Sequence, residues 1–234
     1  MTVEGDTALQ SEVLEDLSEA VNYRAWLVAL TLPHLGGRAI EVGSGNGDYA
    51  EAWASAGVQI TASEADAARL MQLHERFAAS PRVEVRELRA PIDVNDDYDA
   101  VVALNVLEHI PDDVEALRSF AGLLRPGGAV VLVVPAFPIA MSKFDRAIGH
   151  QRRYRKETLR AAIESAGLQI EVLRHVNGPG LLAWIVGMRL LRMRPGSGPV
   201  LRAWDGRVIP RIRRRESRHE PRFGQSILAV ARRT

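Results

Sequence analysis

Two groups of residues in this chain have the types and spacing for chemistry. The first is a turn, Gly43-Ser44-Gly45-Asn46-Gly47, preceded by Glu41. Glycines at alternate positions let main chain approach a ligand with no Cβ in the way. The dinucleotide pattern is G-x-G-x-x-G, with a pyrophosphate seated on the following helix N-terminus. Here Asp48 takes the place of the third glycine. The acid at Glu41 repels a pyrophosphate and suits an ammonium, which it can pair. The turn therefore favours an amino-acid-bearing nucleoside over a dinucleotide. Glu64 stands about twenty residues beyond Gly43, the spacing of an acid that accepts both ribose hydroxyls.

The second group is the stretch GHQRRYRKETL, residues 149–159. His150 is its only histidine, and imidazole titrates near neutral pH. It reads as a general base or acceptor ligand, against a plainer role in holding the loop through main-chain bonds. Arg153 and Tyr154 beside it are acceptor-binding candidates. An arginine here can clamp a carboxylate or phosphate with two bonds, or pair internally with Asp145 or Glu157. Tyr23 and Trp26, upstream of the turn, offer aromatic faces to a cation, with core packing as the alternative.

Elements must place these residues. Apolar periodicity predicts helices over 11–32, 49–56, 65–78, 114–124, 156–166 and 181–193. Strands are predicted over 38–42, 58–63, 83–88, 100–104, 129–136, 168–173 and 226–231. Breakers sit between them, among them Pro33 with Gly36-Gly37, Ser80-Pro81 and Pro126-Gly127-Gly128. Strands alternating with helices imply an α/β fold: a doubly wound, mostly parallel seven-stranded sheet. In such sheets ligands bind beyond the carboxyl ends of the strands, where the strand order reverses. The expected organisation is one domain over 1–234. Residues 1–35 form an N-terminal helical lid and 36–175 the cofactor-binding core. A helical insertion over 176–223 caps the acceptor, and 224–234 supply the last strand.

The bulk composition is that of a globular protein, 47% hydrophobic and 25% charged over 234 residues, with a net charge of +1. Absence of cysteine excludes disulfides, thiolate metal sites and thiol nucleophiles. The first twenty residues carry Glu4, Asp6, Glu12, Glu15, Asp16 and Glu19 and no Lys or Arg, unlike a secretory signal, so a cytoplasmic location is expected. No metal site is expected, since no clustered His and carboxylate motif stands in the chain. Charge alone permits nucleic acid as a partner, but the near-zero balance disfavours it.

Four motifs in order carry a family resemblance: EVGSGNG, ITASEAD, YDAVVALNVLEHIPD and LLRPGGAVVLVVP. Over 38–173 the chain resembles the class I S-adenosylmethionine-dependent methyltransferases, including the ubiquinone-pathway O-methyltransferases. The resemblance implies a Rossmann-like methyltransferase fold, S-adenosylmethionine as cofactor and S-adenosylhomocysteine as product. It places Glu41, Gly43, Ser44, Gly45, Gly47, Glu64, Ala65 and Asn105 around the cofactor, with Asn105 at its methionine end. It makes Glu108-His109 a loop-ordering pair. Where the family has an Asp or Asn facing adenine, VRELRAP has none, so adenine is held by main chain at Leu88 and Arg89 or by stacking. A histidine like His150 is common in the ubiquinone-pathway relatives. The acceptor is expected to be a small or lipid-like molecule methylated at oxygen or nitrogen. For the apolar stretch 180–194, three readings compete: an acceptor cap, a peripheral membrane contact and a homodimer contact. Three rival functions stay open as well: an oxidoreductase, a non-catalytic cofactor-binding regulator and an RNA methyltransferase.

Overall fold

The computed structural model describes residues 19–92, 96–191 and 198–234. Its strands are β1 (Arg38–Val42), β2 (Gln59–Glu64), β3 (Val83–Glu87), β4 (Tyr98–Leu104), β5 (Leu124–Pro135), β6 (Leu168–Val176) and β7 (Ser226–Arg233). They form one sheet in the order β3-β2-β1-β4-β5-β7-β6. Strands β1 to β5 run parallel, while β7 is antiparallel to both β5 and β6. The order reverses between β1 and β4, the place where such a sheet opens a crevice.

Period-two alternation sends successive side chains to opposite faces. On β5, Ala129, Val131 and Val133 join one core with Trp26, Trp53, Leu73, Phe77 and Ile212. Val130, Leu132 and Val134 join the other with Leu117, Phe120, Leu159 and Ile163. Both faces are covered, which is why β5 reads as an unbroken apolar run. The helices are α1 (Val21–Thr31), α2 (Asp48–Ser55), α3 (Ala67–Phe77), α4 (Asp113–Gly122), α5 (Lys143–Ala147), α6 (Lys156–Ser165), α7 (Gly178–Trp184), α8 (Pro199–Ala203) and α9 (Ile209–Glu216).

The structure corrects several expected boundaries. Pro126-Gly127-Gly128, expected to stop a helix ahead of the strand, lies inside β5, where the pairing with β4 shifts register between Tyr98 and Ala100. Glycine accommodates such an irregularity. Strand β6 runs on to Val176, so the insertion starts at Asn177. The helix expected over 181–193 is α7 followed by a π-helical turn, Ile185–Leu190; its residues 192–193 lie outside the described residues. Of the helix expected over 11–32, residues 11–18 lie outside them too.

The insertion is bound to α1 by a buried acid. Asp205 accepts the main-chain N–H of Asn22 (2.8 Å) and Tyr23 (2.9 Å) and the Asn22 side-chain amide (3.0 Å). The first N–H groups of a helix have no partner within it, so a carboxylate here both caps α1 and favours its positive end. Glu216 does the same for α7, accepting from Asn177 (3.0 Å) and Gly178 (2.9 Å). Among the described residues, no helix is long and apolar enough to cross a membrane.

Candidate functional site

Strand β1 delivers Glu41 to the crevice, where the turn follows at once. Gly43, Gly45 and Gly47 all adopt left-handed φ, at 72°, 54° and 84°. At two of them the freedom has an evident second reason. A Cβ on Gly43 would stand 2.8 Å from Val106 Cγ2, so the turn after β1 touches the loop after β4. A Cβ on Gly47 would stand 2.6 Å from Phe77 and 2.8 Å from Leu73, so α2 and α3 close on bare main chain. Ser44 N–H donates to Ser63 O (2.8 Å) and Gly47 N–H to Ser44 O (2.8 Å), which fixes the turn to β2.

Glu41 is 2% exposed, and its Oε2 has no hydrogen-bond partner. Burial pushes its carboxyl up to about 8, with nearby Glu64 and Asp48 adding to the rise and a bond from Ser44 opposing it. A buried carboxylate oxygen with an open lone pair is a receptor for a cation. The Tyr49 phenol is pushed up by burial, then by the charges of Tyr23 and Glu41. Tyr23 lies within reach of Tyr49, and its own phenol is raised by burial while bonding Ser226. Thus α1 brings Tyr23 to the Glu41 side of the crevice.

Glu64, at the end of β2, accepts three main-chain N–H groups: Gly45 (3.0 Å), Ala65 (2.8 Å) and Asp66 (3.1 Å). A carboxylate offers about four lone-pair sites. One remains for a ligand hydroxyl. Asn105 lies at the head of β4 with φ 53°, exposed, its N–H on Val133 O at 2.8 Å. Leu88 is partly buried and donates its N–H to Glu64 O (3.2 Å); Arg89 is exposed, with its guanidinium on Glu87 (3.3 Å). These residues all stand along the carboxyl edge of the sheet.

A second cluster lies beside the loop after β4. Glu108 is fully buried, and neither carboxylate oxygen has a hydrogen-bond partner. Burial pushes it up to about 7, against the His150 charge that lowers it. His150 Nε2 stands 3.8 Å from Glu108 Oε1. His150 Nδ1 stands 3.0 Å from Asp145 Oδ1, an ion-pair distance, although the ring N–H is not aligned for a straight hydrogen bond. His109 meets the His150 ring edge-on at 4.6 Å; burial and then the His150 charge lower it to about 4.

The structure gives Arg153 and Tyr154 internal partners, which corrects their expected role as acceptor ligands. Arg153 is 5% exposed and donates Nε and Nη2 to Asp145 Oδ1 (3.0 and 2.7 Å) and Nη1 to Ala136 O (3.3 Å). The Trp184 ring of the insertion lies 4.7 Å from its guanidinium. Tyr154 is buried with its hydroxyl on Asp113 (2.8 Å). The reason is charge: an arginine this deep needs a carboxylate, and Asp145 is eight residues away. The expectation of no metal site rested on the absence of a short His and carboxylate motif in the sequence, and the fold brings three such donors together from two segments. Glu108, His109 and His150 each bring a donor atom within 4.8 Å of the others, close enough to share one cation. Separated segments build that cluster, so no short motif announces it. Glu108 was legible only as a loop residue, and Asp145 only as a partner for Arg153.

Residues 40–130 match a family described as a methyltransferase domain. The ubiquinone biosynthesis O-methyltransferase of Xanthomonas campestris pv. campestris (strain B100) is 36% identical over 118 residues, 48% of this chain and 47% of that protein. The protein of the same name from Xanthomonas axonopodis pv. citri (strain 306) is 31% identical over 163 residues, 62% of this chain and 67% of that protein. The chain thus spans about half the length of the first relative and two thirds of the second. Among solved structures, geranyl diphosphate methyltransferase in complex with S-adenosylmethionine superposes with a TM-score of 0.63 at 17% identity, covering 89% of this chain and 84% of that one. The [4+2]-cyclase SpnF superposes with a TM-score of 0.59 at 19% identity, covering 88% and 79%. At such identities the likeness establishes the fold alone, and the cyclase shows that one fold serves different reactions.

Proposed function

This chain belongs to the class I S-adenosylmethionine-dependent methyltransferases, and on that premise we propose that it methylates an oxygen of a small or lipid-like acceptor. The observation that carries the reading is the buried, unpartnered Oε2 of Glu41 beside a glycine turn at the strand-order reversal. The residues fit the cofactor. Glu41 would pair its ammonium, Glu64 would accept a ribose hydroxyl at its one remaining lone-pair site, and the Gly43–Gly47 main chain would lie against it. Asn105 lines its methionine end. Leu88 and Arg89 offer main chain to the adenine. When bound, S-adenosylmethionine supplies a methyl carbon already activated by its sulfonium.

The chain must then align the acceptor and remove its proton. His150 is the base in this reading: its side chain is 9% exposed, and its Nε2 stands 3.8 Å from Glu108 Oε1. Oxygen is favoured over nitrogen because the relatives named above are O-methyltransferases and because a hydroxyl nucleophile gains most from a base. The insertion covers the acceptor side through Trp184, whose indole N–H bonds Ala140 O (3.1 Å). Leu182, Val186, Leu190 and Leu191 remain exposed, which suits an acceptor with an apolar tail met at a membrane surface.

The test is methyl-labelled S-adenosylmethionine with phenols and catechols, with and without isoprenoid tails, alongside matched amines, read by product mass. Label on the hydroxyl compounds is expected. Label on amines alone dismisses the oxygen reading. Tight cofactor binding with no transfer to any of them favours a non-catalytic regulator.

A further inference from the structure

We infer that the cavity between α1 and α9 is a binding site for a phosphate group, carried by a free phosphate ester or by a lipid headgroup. The cavity holds about 410 Å³ and is lined by Asn22, Ile209, Pro210, Arg213, Arg214 and Ser217. The lining residues from Ile209 to Ser217 recur at spacings of three and four, so one face of α9 forms one wall. Asn22, in the first turn of α1, forms the other.

The acids that could neutralise this face are committed elsewhere. Between residues 198 and 220 the chain holds only Asp205, Glu216 and Glu220. Asp205 and Glu216 are buried, capping α1 and α7. Glu220 takes Lys156 at 2.7 Å. Arg213 and Arg214 are exposed, and neither guanidinium makes a hydrogen bond or ion pair among the described residues. The last turn of a helix welcomes cations. Arginine nevertheless stands at 211, 213, 214 and 215, and like charges crowded on one helix repel. An anion in the cavity relieves that repulsion at Arg213 and Arg214. A guanidinium presents paired N–H donors that match phosphate oxygens, and a tetrahedral phosphate can take both arginines at once. The Asn22 amide spends one N–H on Asp205 and keeps a second. Ile209 and Pro210 give the wall an apolar stretch for the carbon part of an ester. None of the lining residues has a part in the methyl transfer proposed above, so the site is tested apart from it.

The test is calorimetry of the full chain with inorganic phosphate, in about 0.15 M salt, where exposed charges more than about 8 Å apart are screened. Sedimentation with phosphatidylcholine vesicles, with and without phosphatidylglycerol, follows. Saturable binding of phosphate is expected. Arg213→Gln combined with Arg214→Gln should weaken it about tenfold or more, the scale of lost hydrogen bonds between charged groups. Arg215→Gln combined with Arg218→Gln removes the same charge outside the cavity and should keep the affinity within about twofold. All four side chains are exposed, so both variants should melt near the wild type. Vesicle binding that needs phosphatidylglycerol and is lost in the first variant supports the site and assigns the phosphate to a lipid headgroup. Phosphate binding without vesicle binding supports it and assigns the phosphate to a free ester. A wild type that binds neither probe overturns the inference. Equal affinities in the two double variants overturn it too, as the mark of a diffuse cationic surface of the kind that tracks RNA.

Discussion

Cofactor affinity should depend on pH in a way that Glu41 alone dictates. Its carboxyl titrates at about 8 in the ligand-free protein because it is buried with no partner for Oε2. Only the ionised form pairs an ammonium, so the apparent Kd scales inversely with the ionised fraction, about 1% at pH 6 and about 9% at pH 7. The affinity for S-adenosylmethionine is therefore expected to rise about ninefold between pH 6 and pH 7. The window lies below the titration of the ligand's own amino group, near about 8 in a model α-amine. Binding at pH 7 should also release close to one proton, since about nine tenths of Glu41 starts protonated. Calorimetry in two buffers of different ionisation enthalpy measures both quantities. Glu41→Gln should bind more weakly at pH 8 and lose the slope. A wild-type Kd that does not move between pH 6 and pH 7, or a slope that survives in Glu41→Gln, refutes the reasoning.

Gly47→Ala combines a left-handed φ with a Cβ pressed on Phe77 and Leu73, so a loss of about 2 kcal/mol is expected. Calorimetric melting should read this as a fall of about 4–8 °C. Asp205→Ala leaves the first N–H groups of α1 without their acceptor. A loss of about 2 kcal/mol is expected in urea denaturation, with faster hydrogen exchange confined to the start of α1. Glu108 titrates at about 7 when folded against 4.5 as a free side chain. The folded state then binds more protons in that interval, so stability should fall as pH rises from about 4.5 to 7. Glu108→Gln should flatten that fall in melting temperature, and an unchanged pH dependence would assign it to another group.

The candidate cofactor side was legible as a local pattern. Glu41, the glycines and Glu64 stand at the ends of two adjacent parallel strands, and strand periodicity with turn chemistry locates those ends. The acceptor side was less so. Arg153 and Tyr154 read as ligands because a charge or hydroxyl in a loop carries no sign of the partner that will neutralise it. Burial decided the matter, and burial depends on how β5, α5 and the insertion meet. Asp205 lies 183 positions from Asn22, so no pattern along the chain could join them. Glu108 shows the same limit. Its chemistry comes from being enclosed without a partner, a property of the assembled loops rather than of the dipeptide Glu108-His109. The π turn after α7 escaped periodicity because its apolar residues resemble those of an ordinary helix.

The position of β7 has a consequence for how the molecule comes to exist. It lies between β5 and β6 and, among the described residues, supplies the only neighbour β6 has in the sheet. During synthesis six strands leave the ribosome before the one that must slide between two of them. Until then β5 and β6 each present a raw edge to solvent, β5 with some of the most apolar residues of the chain. The nascent protein must keep that slot open and unaggregated, so a chaperone or dilute conditions should govern its yield more than its final stability does.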